Sequence, residues 1–486
     1  MNTKNKIFKG FAIGGLIAVL SLAAAAQKHP RELGPAPELK FKLTKPVQFT
    51  AGNGIQCYYM EDKELPLVTL RGLLRGGSLF EPAEKTGLAY MTGTVMRTGG
   101  THKLTGDQIN EELEFIAASI ESSGAAEFVF VSGNSLKKDF GKLVDLYSDI
   151  IMNPEFRQDK IDLARNQALE SLRRQWDMPS SVSSLLFREK LYGSGYALGR
   201  RMTYKSLNSI TREDLIAFHQ RFFAPNNFYL GIAGDLSLDE AKAAVERVFK
   251  GWAKKKVTLP ELPPLAEKAD GTIYYAYKDT LQGSVYMGHL GIPRLSPDSF
   301  KVEVMNEILG GGGFTARLMK ELRSNRGLTY GIYGGVYEGY GKDRGPFQIA
   351  SQLKAGKFVE ALGVIKGIVK DMQANPVTDE EIKTAKNSLV NSFVFRFESK
   401  QQILSEYMSL KLEGYPDNYL ETYIDNIKKI SKADVQEAAK KYMSPDKMIF
   451  VVVGDEKKFD KPLSTFGKVM TIDLGKIIAA ERGEGK

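Results

Sequence analysis

The chain repeats itself at a constant offset. The segment at 210–235, ITREDLIAFHQRFFAPNNFYLGIAGD, aligns without a gap with the segment at 430–455, ISKADVQEAAKKYMSPDKMIFVVVGD, 220 residues later. The matched positions keep one register throughout: Ile210 with Ile430, Asp214 with Asp434, Phe222 with Tyr442, Pro225 with Pro445, and Gly234-Asp235 with Gly454-Asp455. A repeat of this length predicts a fold made of two similar halves.

Both copies of the repeat predict the same local structure. Thr211 and Ser431 are helix N-caps, and each helix is followed by a proline turn and an apolar strand that ends in Gly-Asp. Further strands are predicted at 67–74 and 272–277, and a long amphipathic helix at 357–375. Hairpin-like strands followed by helix pairs indicate an α+β fold of two similar α/β halves, each an antiparallel-rich sheet packed with helices.

The N-terminus has the pattern of a secretory signal peptide. Three lysines precede an uncharged run at 11–26, which ends in SLAAAA and is shorter than the roughly 20 residues of a membrane span. An uncleaved anchor is the alternative. We expect a signal peptide at 1–26, a first half at 27–253, a proline-containing linker at 254–271 and a second half at 272–486. The mature protein would then be periplasmic or otherwise exported, without a membrane span.

Composition excludes several classes of function. The single cysteine, Cys57, allows no internal disulfide, so stability must come from packing. The net charge of +9 is a mild excess, and no arginine-rich or basic-aromatic run suggests a nucleic-acid partner. The four histidines are far apart in sequence, so no local pair of metal ligands is present. A metal site assembled from scattered residues is a remaining alternative.

Two further stretches carry a resemblance to a known family. The first, ELPLVTLRGLLRGGSLFEPAEKTGLAYMTGTVMRTGGT at 64–101, contains a predicted buried helix without any histidine, carboxylate or cysteine. The second is GGGGFTARLMKELRSNRGLTYGIYGG at 310–335. With the repeated unit, these stretches resemble peptidase family M16, the pitrilysin, insulinase-like and processing-peptidase-like metallopeptidases. The resemblance covers essentially the whole mature chain and implies their LuxS/MPP-like fold.

The resemblance also implies that the zinc site is lost. Catalytic members carry His-x-x-Glu-His on the helix after Gly-Leu-Ala, with a further glutamate downstream. Those positions fall here on Tyr90, Gly93 and Thr94, and near Ser171, which has Glu170 beside it. These residues supply neither a zinc site nor a general base. The chain is therefore similar to the non-catalytic subunits of the family, with no metal or catalytic residues of its own and zinc expected in a partner.

A different motif of the family is retained in the second half. Catalytic assemblies use an arginine and a tyrosine seven residues apart, and Arg323 and Tyr330 have this spacing. Gly327 predicts a helix end between them, which places Arg323 in the last helical turn and Tyr330 at the head of a strand. The alternative is a solvated cation and a packed aromatic residue. The glycine run Gly310, Gly311, Gly312 and Gly313 is a weaker substrate-binding candidate, since it also suits close packing at a helix start.

The resemblance implies a substrate-binding subunit of a heteromeric M16-type zinc metallopeptidase. Such a subunit acts on peptides or unfolded polypeptides and assembles with a zinc-bearing subunit as a heterodimer or heterotetramer. The alternating strands predicted at 67–74 and 284–291 are candidate cleft edges that an extended peptide could join, or ordinary core strands. The competing hypotheses are a non-enzymatic peptide-binding or scaffold protein, and an independent peptidase with an unrelated metal site.

Overall fold

The computed structural model describes residues 43–266 and 270–482, so the predicted signal peptide lies outside the described residues. The described strands form two six-stranded sheets. The first sheet contains β1 (Val47–Thr50), β2 (Gln56–Glu61), β3 (Leu67–Arg75), β4 (Ser119–Gly124), β5 (Phe128–Leu136) and β6 (Phe228–Gly234). The second contains β7 (Ile273–Tyr277), β8 (Gln282–Pro293), β9 (Thr329–Val336), β10 (Arg344–Lys354), β11 (Ile449–Gly454) and β12 (Val469–Ile472).

Helices pack on these sheets in both halves. Those of the first half are α1 (Leu88–Thr98), α2 (Gly106–Phe115), α3 (Phe140–Met152), α4 (Gln158–Arg174), α5 (Pro179–Tyr192), α6 (Tyr204–Ser209), α7 (Arg212–Phe222) and α8 (Leu238–Val248). Those of the second half are α9 (Ser299–Asn306), α10 (Arg317–Met319), α11 (Phe358–Ala374), α12 (Asp379–Ser392), α13 (Lys400–Glu413), α14 (Tyr419–Lys429), α15 (Lys432–Tyr442) and α16 (Leu474–Arg482). Among the described residues, none of the helices is both long enough and apolar enough to cross a membrane.

The two sheets repeat one strand order. The first sheet runs β1-β2-β6-β3-β5-β4, and the second runs β12-β7-β11-β8-β10-β9. When β2 to β6 are matched in sequence order with β7 to β11, the five shared strands have the same neighbours. β2 and β7 pair in parallel with β6 and β11, whereas the following pairs are antiparallel. The prediction of two similar α+β halves is therefore confirmed.

The repeated sequence unit has the predicted local structure in both copies. The side chain of Thr211 accepts a hydrogen bond from the backbone N–H of Asp214, and the Asp214 side chain caps in return. Ser431 and Asp434 form the same capping box at the start of α15. Each box satisfies backbone donors that a helix start otherwise leaves unpaired, and each helix then leads into a strand buried on both faces, β6 or β11.

Each half supplies one helix to the sheet of the other half. Helix α5, from the first half, packs on β8 and β11 of the second sheet. There the Ser183 and Ser284 hydroxyls are 2.8 Å apart, and the Phe187 ring centroid lies 5.9 Å from that of Tyr286. Helix α13, from the second half, packs in turn on β2 and β6 of the first sheet. This exchange interlocks the halves, because each sheet needs a helix from the other half to cover its apolar face.

An ion pair reinforces the junction between the halves. A guanidinium nitrogen of Arg294, in the second half, lies 2.7 Å from a carboxylate oxygen of Glu127, in the first half, and their side chains are only 9% and 15% exposed. Between the halves, residues 249–266 and 270–272 contain neither helix nor strand. The predicted linker at 254–271 falls in this stretch, apart from the positions outside the described residues.

Of the two alternatives for 67–74 and 284–291, cleft edge or ordinary core strand, the structure supports the core strand. These segments lie within β3 and β8, and both strands are central: β3 pairs with β5 and β6, and β8 pairs with β10 and β11. Their backbone donors and acceptors are therefore used on both sides. The sheet edges are formed instead by β1 and β4 in the first sheet and by β12 and β9 in the second.

Candidate functional site

Helix α1 is the predicted buried helix, and a carboxylate fixes its start. Gly87 adopts a left-handed conformation with φ of 108°, and residues including Met91 and Val95 are buried. The Glu81 side chain accepts hydrogen bonds from the backbone N–H groups of Gly87 and Ala89, each at 2.9 Å. Burial raises the pKa of Glu81 to about 7. The helix is thus anchored at the end that precedes the positions of the family's zinc motif.

The backbone of strand β4 occupies the space beside Gly93. A Cβ atom built on Gly93 would lie 2.2 Å from the amide nitrogen of Gly124 and 2.5 Å from the carbonyl carbon of Ser123. The Ser122 hydroxyl also donates to the carbonyl oxygen of Gly93 at 2.5 Å. Any side chain at position 93 would therefore overlap with main-chain atoms that cannot rotate away. The position where catalytic members of the family carry a glutamate is closed.

The other mapped positions form no metal site. Tyr90 and Thr94 are half-buried on α1, and Ser171 and Glu170 are exposed on α4. The Ser171 hydroxyl donates to the carbonyl oxygen of Gln167, within its own helix, at 3.0 Å. Within residues 43–266 and 270–482, no group of three or more histidines, cysteines and carboxylates is placed to hold a metal ion.

The described histidines have other partners. His102 bonds the Glu155 carboxylate at the surface. His219 packs on Phe223, and burial lowers its pKa to about 4, while the imidazole Nε2 lies 2.8 Å from the carbonyl oxygen of Ile151. The Nε2 atom of His289 accepts a hydrogen bond from the backbone N–H of Ser444 at 2.8 Å. Three structural roles thus account for these side chains, and His29 lies outside the described residues.

The structure brings Arg323 and Tyr330 together. Arg323 lies in a π-helical turn, Lys320–Asn325, that continues α10. Gly327, with φ of +59°, ends this turn and donates its N–H to the carbonyl oxygen of Arg323 at 3.1 Å. Tyr330 is the second residue of β9. The left-handed glycine reverses the chain, so that the strand returns beneath the helical turn and the two side chains meet.

The guanidinium of Arg323 is stacked between two exposed aromatic rings. Its Cζ atom lies 4.4 Å from the ring centroid of Tyr330 and 4.5 Å from that of Phe314, and these rings are 81% and 61% exposed. No ion pair or hydrogen bond involves the guanidinium of Arg323 in the described part of the chain. Stacking holds the guanidinium plane in place while leaving its N–H donors available to an incoming acceptor.

Helices cover much of the outer edge of β9. The Asn306 side chain donates to the carbonyl oxygen of Val336 at 2.7 Å and accepts from its N–H at 2.8 Å. A Cβ atom on Gly310 would lie 2.6 Å from both the nitrogen and the oxygen of Gly334. Gly310 therefore has the packing role that Gly93 has against β4. Tyr330, near the beginning of this strand, is exposed.

The sequence reasoning missed three exposed aromatic residues, of which Phe314 contacts Arg323. Phe314 follows the glycine run, in which Gly313 is left-handed and has open space around it. Tyr333 and Tyr337 are 60% and 43% exposed, on β9 and directly after it. A large aromatic side chain beside several glycines, as in GGGGF and TYGIYGGVY, is the sequence signal that could have identified them. Of these residues, Phe314 lies with Tyr330 against Arg323.

The fold and the site define a two-half α+β protein in which backbone fills the space beside Gly93 and Arg323 stacks on Tyr330. The model for Insulinase (Peptidase family M16) matches residues 60–201, and the model for Peptidase M16 inactive domain matches residues 209–389. Together these matches span more than half of the chain. The chain therefore belongs to peptidase family M16. The match to the inactive-domain model supports a non-catalytic M16-like protein.

Relatives and solved structures agree with this assignment. The Non-peptidase homolog YmxG of Helicobacter pylori (strain ATCC 700392 / 26695) is 25% identical over 409 residues, 83% of this chain and 93% of that protein. A crystal structure of a peptidase M16 inactive domain from Pseudomonas fluorescens is 27% identical with a TM-score of 0.78, covering 86% of this chain and 100% of that one. A protease from Helicobacter pylori, 17% identical with a TM-score of 0.74 over 85% of this chain and 100% of that one, shares the fold.

Proposed function

We propose that the chain is the substrate-binding subunit of a heteromeric M16-type zinc metallopeptidase, and that it donates Arg323 and Tyr330 to the active site of a zinc-bearing partner. The observation that carries this proposal is the stacking of the unpaired Arg323 guanidinium between the exposed rings of Phe314 and Tyr330. A charged side chain held in place without an acceptor is suited to a ligand that brings one.

The two side chains have complementary roles in this proposal. The Arg323 guanidinium donates to a backbone carbonyl of the peptide, and the Tyr330 hydroxyl donates to the oxygen that gains negative charge when the peptide bond is attacked. The partner's zinc ion supplies the activated water. The closed position at Gly93 explains why the partner is needed, since this chain has no room there for a general base.

The substrates proposed are peptides or unfolded polypeptides outside the cytoplasm. The exposed rings of Phe314 and Tyr330 beside Arg323 suit extended chains with exposed apolar side chains, because aromatic rings bury large areas at low entropic cost. The location rests on the N-terminal sequence pattern alone. The assembly is a heterodimer or a heterotetramer.

The test is a peptidase titration. A zinc-bearing M16 subunit is held at constant concentration, and cleavage of a fluorogenic peptide is followed as the purified mature chain is added. The proposal expects activity to rise and to saturate near equimolar chain. The double variant Arg323→Ala, Tyr330→Phe should bind the partner without raising activity.

A matched control separates a site effect from a surface effect. Arg247→Ala and Tyr277→Phe change one exposed arginine and one exposed tyrosine away from the stacked pair. This control should activate like the wild type. Full activation by the Arg323 and Tyr330 double variant would instead favour the scaffold hypothesis, and chelator-sensitive cleavage by the isolated chain would favour an independent peptidase.

A further inference from the structure

A second unpaired arginine lies on the first sheet. Arg71 is half-buried near the middle of β3, and its Cζ atom lies 5.8 Å from the ring centroid of Phe130 on the neighbouring strand β5. Its Nε atom is buried and has no hydrogen-bond partner. Within the described part of the chain, no ion pair or hydrogen bond involves any atom of this guanidinium.

The neighbours of Arg71 do not supply a counter-charge. In register with Arg71 lie Ser132 on β5 and Gly231 on β6, and the next residues of this row are Glu121 on β4 and Tyr58 on β2. Glu121 is two strands away, about 10 Å between Cα atoms from the usual spacing of strands. The row therefore places small or uncharged residues directly beside the cation.

A second arginine on the same face of β3 has a hydrogen-bond acceptor for its guanidinium. Arg75, four residues later, donates through Nη2 to the carbonyl oxygen of Leu412 on α13. The exchanged helix thus provides an acceptor for Arg75, whereas Arg71 has none from any element packed on the sheet. A partly buried guanidinium without an acceptor is costly, and burial lowers the pKa of Arg71.

We propose that Arg71 is a receptor for a carboxylate of the bound peptide. A guanidinium matches a carboxylate through two parallel N–H···O bonds, and its stacking on Phe130 fixes the plane in which those bonds form. Because β3 is paired on both sides, a peptide meets Arg71 with a side chain or its C-terminus and not as an added strand. The identity of the ligand as a peptide rests on the proposed function.

Carboxylate binding is tested on the full mature chain by NMR, without a partner or a protease substrate. The side-chain Nε–H resonance of Arg71 is assigned by its disappearance in Arg71→Lys. N-acetylglycine and N-acetylglutamic acid α-amide represent a terminal and a side-chain carboxylate, and N-acetylglycinamide is the uncharged control. We expect a saturable shift of the Arg71 resonance with one or both carboxylates and none with the amide, while the Arg75 resonance stays in place.

The role in peptide binding is tested separately by fluorescence anisotropy. The first comparison is between a labelled octapeptide with a free C-terminal carboxylate and the same peptide as its C-terminal amide. The second comparison is between that amide and an amide with one internal glutamate added. Wild-type protein should bind the matching carboxylate form about tenfold more tightly than the neutral form, and Arg71→Met should remove that ratio.

Failure of this inference is distinguishable from failure of the proposed function. An Arg71 resonance that does not move, or that moves equally with N-acetylglycinamide, would overturn the carboxylate receptor even if peptides bind. An unchanged affinity ratio in Arg71→Met would overturn it as well. A chain that binds no octapeptide and fails to activate a zinc subunit that it binds would overturn the proposed function.

Discussion

The substitution Gly93→Ala tests whether the zinc position is closed by the fold itself. In an ordinary helix, replacement of glycine by alanine stabilises a protein by about 1 kcal/mol. At position 93 the added Cβ atom would lie 2.2 Å from the nitrogen of Gly124, and the nearest atoms belong to backbone. Overpacking against backbone falls at the upper end of its usual range, about 3 kcal/mol.

A second loss adds to this overlap. If β4 moves away from α1, the hydrogen bond from Ser122 to the Gly93 carbonyl is weakened, at a cost of about 1 kcal/mol. After subtraction of the gain in helix propensity, we expect Gly93→Ala to lower the free energy of unfolding by about 3 kcal/mol. The assay is urea unfolding followed by tryptophan fluorescence. The chain has two tryptophans, and Trp252 packs on Phe228 in the core of the first half.

The matched control is Gly363→Ala. Gly363 lies within helix α11, and a Cβ atom there would have nothing within 4 Å. This variant should be as stable as the wild type or up to about 1 kcal/mol more stable. Wild-type stability in both variants would refute the closed position, and so would stoichiometric zinc binding by the triple variant Tyr90→His, Gly93→Glu, Thr94→His.

Three further predictions concern stability. The pKa of Glu81 is about 7 in the folded state against an ordinary 4.5. Its contribution to the free energy of unfolding is therefore complete below pH 4.5 and is lost as pH rises through 7, by up to about 3 kcal/mol. The variant Glu81→Gln should flatten this fall when urea unfolding is measured across that pH range. The pH dependence from His219 has the opposite sign, because the pKa of His219 is about 4 in the folded state against an ordinary 6.5. Its contribution to the free energy of unfolding is complete above pH 6.5 and falls by about 3 kcal/mol as pH drops to 4. The variant His219→Gln should remove that fall. Arg294→Met, at the buried junction, should cost about 3 kcal/mol in urea unfolding, whereas Arg247→Met, in an exposed pair, should cost less than about 1 kcal/mol. Equal losses for the two arginines would contradict the role assigned to the junction.

The sequence repeat was sufficient to predict two similar halves, because the residues that form its helix and strand lie close together in sequence. Capping residues such as Thr211 and Ser431, and the apolar strand after each proline turn, act within a few residues of one another. The helical turn that ends at Gly327 was predictable for the same reason. Local chemistry thus placed Arg323 in the last helical turn and Tyr330 at the head of the next strand.

Features set by distant contacts could not be predicted. Side chains alternate between the two faces along β3 and β8 as they would in an edge strand. This alternation shows which face of a strand is buried, but it does not show how many strands pair with it. The exchange of α5 and α13 depends on surfaces supplied by the opposite half. Likewise, the sequence shows that position 93 is glycine and carries no carboxylate. Only the fold shows that the backbone of Gly124 fills the space beside it.

Some expectations remain predictions. The boundaries at 27–253, 254–271 and 272–486, the export of the mature chain and the role of the glycine run in peptide handling follow from sequence patterns. The structure adds a physical role for one member of that run, since Gly310 allows the helix to approach Gly334. This packing role and a role in substrate handling are separable by the substitutions Gly310→Ala and Gly313→Ala, of which only the first meets backbone atoms.

The most direct test of the central claim is the turnover number of the assembled peptidase with Tyr330→Phe in this chain. If the Tyr330 hydroxyl stabilises the charge that develops during peptide attack, kcat should fall by about 10²–10³ while the affinity for the zinc subunit stays unchanged. A kcat equal to that of the complex carrying Tyr277→Phe would contradict the claim that this chain completes its partner's active site.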